Sequence, residues 1–96
     1  MSEILIGRIN TKLKHRKYIQ ELTKRIQVDR VVEVKVGDIV TFALPIDKDY
    51  TLSCVGKKPE KYSVEDDVLT IVMTDCGLVY RYNDGGRKKL EVVVAR

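Results

Sequence analysis

Few side chains in this chain have the chemistry that an active site needs. His15 is the only histidine, and three serines are the only serine hydroxyls. Acid–base and nucleophilic catalysis need a nucleophile beside a base, or paired carboxylates in a cleft. Asp66-Asp67 lies beside strong turn signals, where carboxylates are normally solvated, and the sequence has no glycine-rich phosphate loop or His-Glu metal motif. We therefore expect no enzymatic activity, no metal site and no cofactor.

The two cysteines, Cys54 and Cys76, are too few for a disulfide scaffold and lack the spacing of a metal site. In a reducing compartment they stay thiols, and the simplest interpretation is two small, partly buried side chains. A single bridge is the alternative if the protein is exported.

Binding chemistry is concentrated near the start of the chain. Residues 1–30 carry eight bases against three acids, whereas residues 31–96 carry ten against eleven. Such asymmetry predicts an anionic partner for residues 8–30, and phosphates of a nucleic acid are the natural candidate. Tyr18 would stack on a base. The candidate phosphate-neutralising side chains are Lys12, Lys14, Arg16, Lys17, Lys24 and Arg25.

An amphipathic helix is the element predicted to present these bases. Apolar or semi-apolar residues fall at 15, 18, 19, 22 and 26, the spacing of one helical face. Asn10 and Thr11 are good N-cap residues, and residues 4–6 form a short predicted strand before them. On the alternative interpretation, the bases form a solvated face while Tyr18, Ile19, Leu22 and Ile26 cover the rest of the domain. A β-arm is the competing structure.

From residue 31 onward the sequence alternates between short strands and turns. Residues 68–73 are apolar on both faces and should form a central strand, and residues 83–86 (Asn-Asp-Gly-Gly) predict a hairpin turn. Seven strands at this spacing are typical of a sandwich or small barrel. The predicted strands are 32–36, 39–44, 50–54, 62–64, 68–73, 78–82 and 90–94. The predicted core is Phe42, Leu44, Leu52, Leu69, Ile71, Leu78, Tyr80, Leu90 and Val92.

Two stretches resemble a divergent immunoglobulin-like β-sandwich of the kind found in prokaryotic and viral proteins. Residues 34–42 look like its first two strands, and residues 77–86 with 90–94 look like its F–G hairpin. The resemblance implies a mainly β, seven-stranded Greek-key sandwich over residues 31–96, preceded by a basic segment over residues 1–30 in one compact domain. The chain lacks a core tryptophan, and Cys54 and Cys76 do not occupy the positions of the B–F cysteine pair.

Two neighbouring families share features with this pattern. Cupredoxins need two histidines and a cysteine at their copper, which a chain with His15 alone cannot supply. Chagasin-type inhibitors of cysteine proteases have a similar small sandwich, but residues 45–50 do not match their Asn-Pro-Thr-Thr-Gly loop. An inhibitor of this type is the weakest of the alternatives.

These observations favour a non-catalytic structural or protein-interaction module. The expected setting is a larger assembly such as a virus particle, as a capsid-associated or decoration protein. Its expected partners are other protein subunits, including further copies of itself, and the alternative is a small basic nucleic-acid-binding protein. No apolar run has the length of a membrane span, and residues 1–10 lack the pattern of a signal peptide. We therefore expect no membrane partner and a cytoplasmic location, or the virion if the protein is viral.

Overall fold

The computed structural model describes residues 14–46 and 49–96, which form one helix and seven strands. One sheet has the order β1-β7-β6-β3 and the other has the order β2-β5-β4. The mainly β architecture in two sheets is therefore confirmed. In the described residues, no helix has both the length and the apolarity needed to span a membrane. The elements are α1 (His15–Arg25), β1 (Arg30–Val34), β2 (Ile39–Ala43), β3 (Tyr50–Gly56), β4 (Tyr62–Glu65), β5 (Val68–Val72), β6 (Cys76–Asp84) and β7 (Arg87–Ala95).

The predicted hairpin joins the two longest strands. Strands β6 and β7 pair antiparallel from Gly77 opposite Val94 to Asp84 opposite Arg87. Gly85 and Gly86 adopt φ angles of 59° and 83°, which residues with a side chain rarely adopt. A two-residue turn with positive φ at both positions follows the right-handed twist of its strands, so this sequence selects the tight turn.

The first core lies between the two sheets. Most of the predicted core residues are found there, and Leu44 packs partly buried against it. The assignment of Leu90 and Val92 to this core is wrong, because both lie on the opposite face of the four-stranded sheet. The buried members are Phe42, Leu52, Cys54, Leu69, Ile71, Met73, Cys76, Leu78, Tyr80, Val93 and Ala95.

The second core lies between the four-stranded sheet and α1. It contains Ile19 from the helix and Val79 from β6, together with three residues of β7. Strand β7 is apolar on both faces, and successive side chains point to opposite faces. Leu90, Val92 and Val94 therefore face the helix, whereas Val93 and Ala95 face the other sheet.

Tyr80 connects the two sheets at one end of the first core. Its ring makes an edge contact with Phe42 at a centroid distance of 5.1 Å and stacks on Tyr82 at 4.7 Å. The Tyr80 hydroxyl donates to the carbonyl of Ala43 at 2.8 Å. Burial raises the pKa of Tyr80, and the 2.6 Å hydrogen bond from the Tyr82 hydroxyl to Glu91 raises the pKa of Tyr82 to about 12. Both phenols therefore stay neutral hydrogen-bond donors at neutral pH.

Strand β5 occupies the centre of the three-stranded sheet, which confirms its predicted central position. Only its inner face is covered, since Leu69 and Ile71 are fully buried while Val68 is 39% exposed. The strands with two buried faces are β6 and β7 of the other sheet.

Truncating Ile71 to alanine should lower the free energy of unfolding by about 2–5 kcal/mol, the range for a buried aliphatic side chain. Ile71 is fully buried between the sheets, so the lost methyl groups leave a cavity. Urea unfolding measures the change. Lys88→Ala, at an exposed hairpin position, is the control and should leave the midpoint nearly unchanged. Equal midpoints for Ile71→Ala and the parent protein would show that the core is assigned incorrectly.

Candidate functional site

Helix α1 presents an apolar face to the sheet, as its amphipathic pattern predicts. Ile19 is 3% exposed and packs directly over Gly77. A Cβ atom on Gly77 would lie 3.1 Å from Ile19 Cγ1, so the absence of a side chain permits this close approach. Tyr18 and Leu22 pack partly buried against the second core. Tyr18 therefore belongs to the packing face of the helix and does not accompany its exposed bases.

His15 anchors the start of α1 to the end of the sheet. It is 9% exposed, and its Nε2 lies 3.1 Å from the carbonyl oxygen of Ala95 and 3.4 Å from Asp75 Oδ1. Both neighbours are acceptors, so this geometry requires a proton on Nε2. The histidine thus fixes the helix to the last residue of β7 and to the turn before β6.

The first turn of α1 carries bases where helices usually carry acids. Its N-cap is Lys14, whose side chain makes no capping hydrogen bond. The prediction that Asn10 or Thr11 caps this helix is wrong, because the helix begins at His15. No acid lies in the first turn, which instead contains Arg16 and Lys17. Positive charge at the positive end of a helix dipole is unfavourable, by about 0.3–1 kcal/mol for each residue.

The loop after β3 lies against the turn before β6, which His15 also contacts. The Lys57 N–H donates to the carbonyl of Asp75 at 3.1 Å, and the Thr74 hydroxyl donates to the carbonyl of Lys57. Pro59 is fully buried and holds the middle of the loop. Gly56 has a φ of 103°, and a Cβ there would lie 2.8 Å from the Asp75 carbonyl oxygen. Only glycine fits this position without moving Asp75.

An open cleft of about 910 Å³ separates the start of α1 from this loop. Four bases line it against two carboxylates, and one of those carboxylates, Asp75, already contacts His15. The cleft is lined by Lys14, His15, Arg16, Gly56, Lys57, Lys58, Glu60 and Asp75. Ammonium and guanidinium groups such as these can bind phosphate or carboxylate oxygens.

The structure brings together only some of the candidate binding residues. Lys14 and Arg16 line the cleft, whereas Lys17 and Lys24 lie exposed on the outer stripe of α1. Arg25 is exposed in the last turn, and Lys24 Nζ lies 3.9 Å from Glu21 Oε1. Lys12 lies outside the described residues, as do the predicted strand at residues 4–6 and residues 47–48 of the segment compared with the chagasin loop.

Lys57 and Lys58 are site residues that the sequence analysis missed. They appear in the sequence as two consecutive lysines of a turn before a proline, a common solubilising pattern. Nothing local connects them with α1, which is about forty residues away along the chain. Their place beside Lys14 and Arg16 depends on Asp75, which contacts both walls of the cleft.

The two cysteines form a separate cluster inside the first core. They lie on adjacent strands, neither is part of a disulfide, and both are fully buried. A hydrogen bond from Cys54 lowers the pKa of Cys76 to about 7, although burial acts in the opposite direction. Among the described residues, no three histidine, cysteine, aspartate or glutamate side chains are grouped to hold a metal ion. The cysteines serve as core side chains.

Comparison with known proteins identifies no relative: no family model, no curated protein and no solved structure matches this chain.

Gly56→Ala should destabilise the protein more than Gly37→Ala. Both glycines have φ near 100°, so either substitution strains the backbone by about 1–3 kcal/mol. Only at Gly56 does the new Cβ meet other atoms, the Asp75 carbonyl oxygen at 2.8 Å and Cys76 Cα at 3.0 Å, whereas Gly37 has open space. Urea unfolding of the two variants isolates the cost of that contact. Equal stabilities would show that the loop is not held against Asp75 as described.

Proposed function

We propose that this chain is a non-catalytic module that binds nucleic acid through one basic surface. We define this basic surface as Lys14, Arg16, Lys17, Lys24, Lys57 and Lys58. The observation that carries the proposal is the cleft, in which bases from two distant parts of the chain lie together. A chain with net charge +4 could distribute its bases evenly, and grouping them costs electrostatic repulsion that an anionic partner removes.

The helix dipole supports the same partner. Arg16 and Lys17 sit at the end of α1 where positive charge is least favourable, and no acid in that turn offsets them. A phosphate beside this turn would interact favourably with the bases and with the dipole at once. The arrangement is unfavourable in the free protein and becomes favourable in the complex.

The helix extends the cleft into a longer track. Lys17 and Lys24 are seven residues apart, so they share the outer stripe of α1 and lie about 10 Å apart along its axis. Exposed cations spaced in this way, with Glu21 between them, contact a sugar-phosphate backbone and do not read base edges. Because Tyr18 packs against the second core, the surface has no aromatic platform from this helix for base stacking. We therefore expect binding with little sequence preference.

We also propose that the scaffold is an immunoglobulin-like Greek-key sandwich. In support, β2, β5 and β4 share one sheet in the order of strands B, E and D, and β3, β6 and β7 share the other in the order C, F and G. Strand β1 pairs parallel with the last strand. The departures are the missing tryptophan and the cysteines, which lie on adjacent strands of one sheet and do not face each other across the sandwich.

A second proposed function is that of a subunit in a larger assembly, such as a capsid-associated or decoration protein in a virion. The observation that favours it is the outer face of the three-stranded sheet, which no helix of the described residues covers. The β2 and β5 rows of this face are uncharged, with Ile39, Thr41 and Ala43 beside Val68 and Thr70, and the charge on the face is Glu65 of β4. Cross-linking in the native context followed by mass spectrometry tests this proposal. Recovery of the chain without any cross-linked subunit would contradict it.

Reversing the two loop lysines tests the nucleic-acid proposal. The double variant Lys57→Glu/Lys58→Glu should lower affinity for a labelled oligonucleotide at least about tenfold, and should reduce the slope of log affinity against log salt by about 2 on duplex DNA. Fluorescence anisotropy with single- and double-stranded DNA and RNA, over a series of salt concentrations, measures both quantities.

The matched control is Arg87→Glu/Lys88→Glu, which changes the net charge equally. These residues lie at the hairpin turn, about 26 Å along β6 from the cleft. The control should lose much less affinity than the loop variant. Equal losses would indicate binding by overall charge alone, and the absence of low-salt binding by the parent protein would overturn the proposal.

A further inference from the structure

Strand β2 is an edge strand whose free main-chain groups can be identified. The Met73 N–H donates to the carbonyl of Asp38, and the Leu44 N–H donates to the carbonyl of Asp67, both at 2.8 Å. Hydrogen-bonded residues alternate along an antiparallel strand, so Val40 and Phe42 also bond to β5. The N–H and C=O groups of the intervening residues Ile39, Thr41 and Ala43 therefore point away from β5.

None of the described residues pairs with this edge. Ile39 is 67% exposed, and Thr41 and Ala43 are also exposed. The carbonyl of Ala43 accepts the Tyr80 hydroxyl. Ile39 and Thr41 retain outward donors and acceptors for which the described residues supply no hydrogen bond.

The other sheet edges are protected, whereas β2 is not. Natural proteins block exposed edges with charged residues, proline, short strands or covering segments. Strand β1 contains Arg30 and Glu33, and the four-residue strand β4 ends at Glu65. In β3 the edge-facing residues Leu52 and Cys54 are completely buried. Strand β2 has the sequence Ile-Val-Thr-Phe-Ala, without a charge or a proline, and it is exposed.

We propose that β2 pairs antiparallel with β2 of a second copy of this chain across a twofold axis, forming one continuous six-stranded sheet. In this arrangement the outward N–H and C=O groups of Ile39 bond to those of Thr41 in the other copy. The twofold axis makes the groups of Thr41 bond to those of Ile39 in the other copy in the same way. A β2–β2 contact places no like charges opposite each other, although each copy has a net charge of +4. The uncharged edge is therefore compatible with a second copy of the same basic chain.

The inference deepens the second proposed function by naming its partner and the contact, and it is independent of nucleic-acid binding. Helix α1 lies on the outer face of the other sheet. The basic surface is therefore outside the β2 contact, and pairing would join two such surfaces in one particle.

Thr41→Pro tests the contact directly. The Thr41 N–H points away from β5, so proline at this edge position removes a donor of the proposed interface and none of the β2–β5 ladder. Sedimentation equilibrium of the parent protein should show a monomer–dimer equilibrium. Thr41→Pro should raise the dissociation constant at least about tenfold.

Two further variants test whether misfolding, and not loss of the interface, explains a weaker dimer in Thr41→Pro. Thr41→Lys keeps the N–H but places a positive charge near the axis, and it should weaken the dimer to a similar extent. Val64→Pro is the matched control on β4. The Val72 N–H donates to the carbonyl of Lys61, so the Val64 N–H likewise points away from β5, but at the edge that Glu65 and the short length of β4 protect. Val64→Pro should dimerise like the parent protein.

Hydrogen exchange on the unmodified protein gives an independent result. The amides of Ile39 and Thr41 should become protected as concentration rises, whereas those of Val40 and Phe42 should be protected throughout. A parent protein that stays monomeric up to about 1 mM would overturn the inference. A dimer unaffected by both Thr41 variants would also overturn it, while leaving assembly through another surface intact. If monomeric Thr41→Pro still binds nucleic acid, the first proposed function does not depend on dimerisation, and the two proposals can fail independently.

Discussion

The four-stranded sheet has two apolar faces, and both must be removed from water. Strands β6 and β7 provide most of this surface: Leu78 and Val93 lie on one face, and Val79 and Val92 on the other. A sheet in a two-layer sandwich needs only one apolar face. Here the three-stranded sheet covers one face and α1 covers the other. The position of the helix is therefore a requirement of the hydrophobic effect, and the location of its bases follows from it.

Asp75 connects this packing to the candidate site. Its carbonyl accepts the Lys57 N–H, and its carboxylate lies beside His15 Nε2. One residue thus contacts both the start of α1 and the loop after β3. The cleft exists because these two elements are held to the same end of the sheet, and Gly56 allows the loop to approach closely enough.

The molecule separates its charged and uncharged surfaces. The basic surface lies on the helix side of the four-stranded sheet, whereas the uncharged edge of β2 belongs to the other sheet. A cationic surface attracts polyanions over a distance close to the Debye length, while strand pairing needs direct contact between main-chain groups. The two proposed partners would therefore contact different residues.

Local sequence determined the elements themselves. The helix at residues 15–25, the Asn-Asp-Gly-Gly turn and the alternation of β2 are visible in the sequence, because backbone conformation and side-chain period depend on near neighbours. What only the tertiary structure decided is which apolar face meets which layer. In β7 both alternating sets are apolar, so periodicity cannot assign Leu90 and Val92, and they pack under the helix. The cleft is likewise tertiary. Lys57 and Arg16 line it together because Asp75 contacts both the loop after β3 and His15, and residues so far apart in the chain leave no local pattern in the sequence.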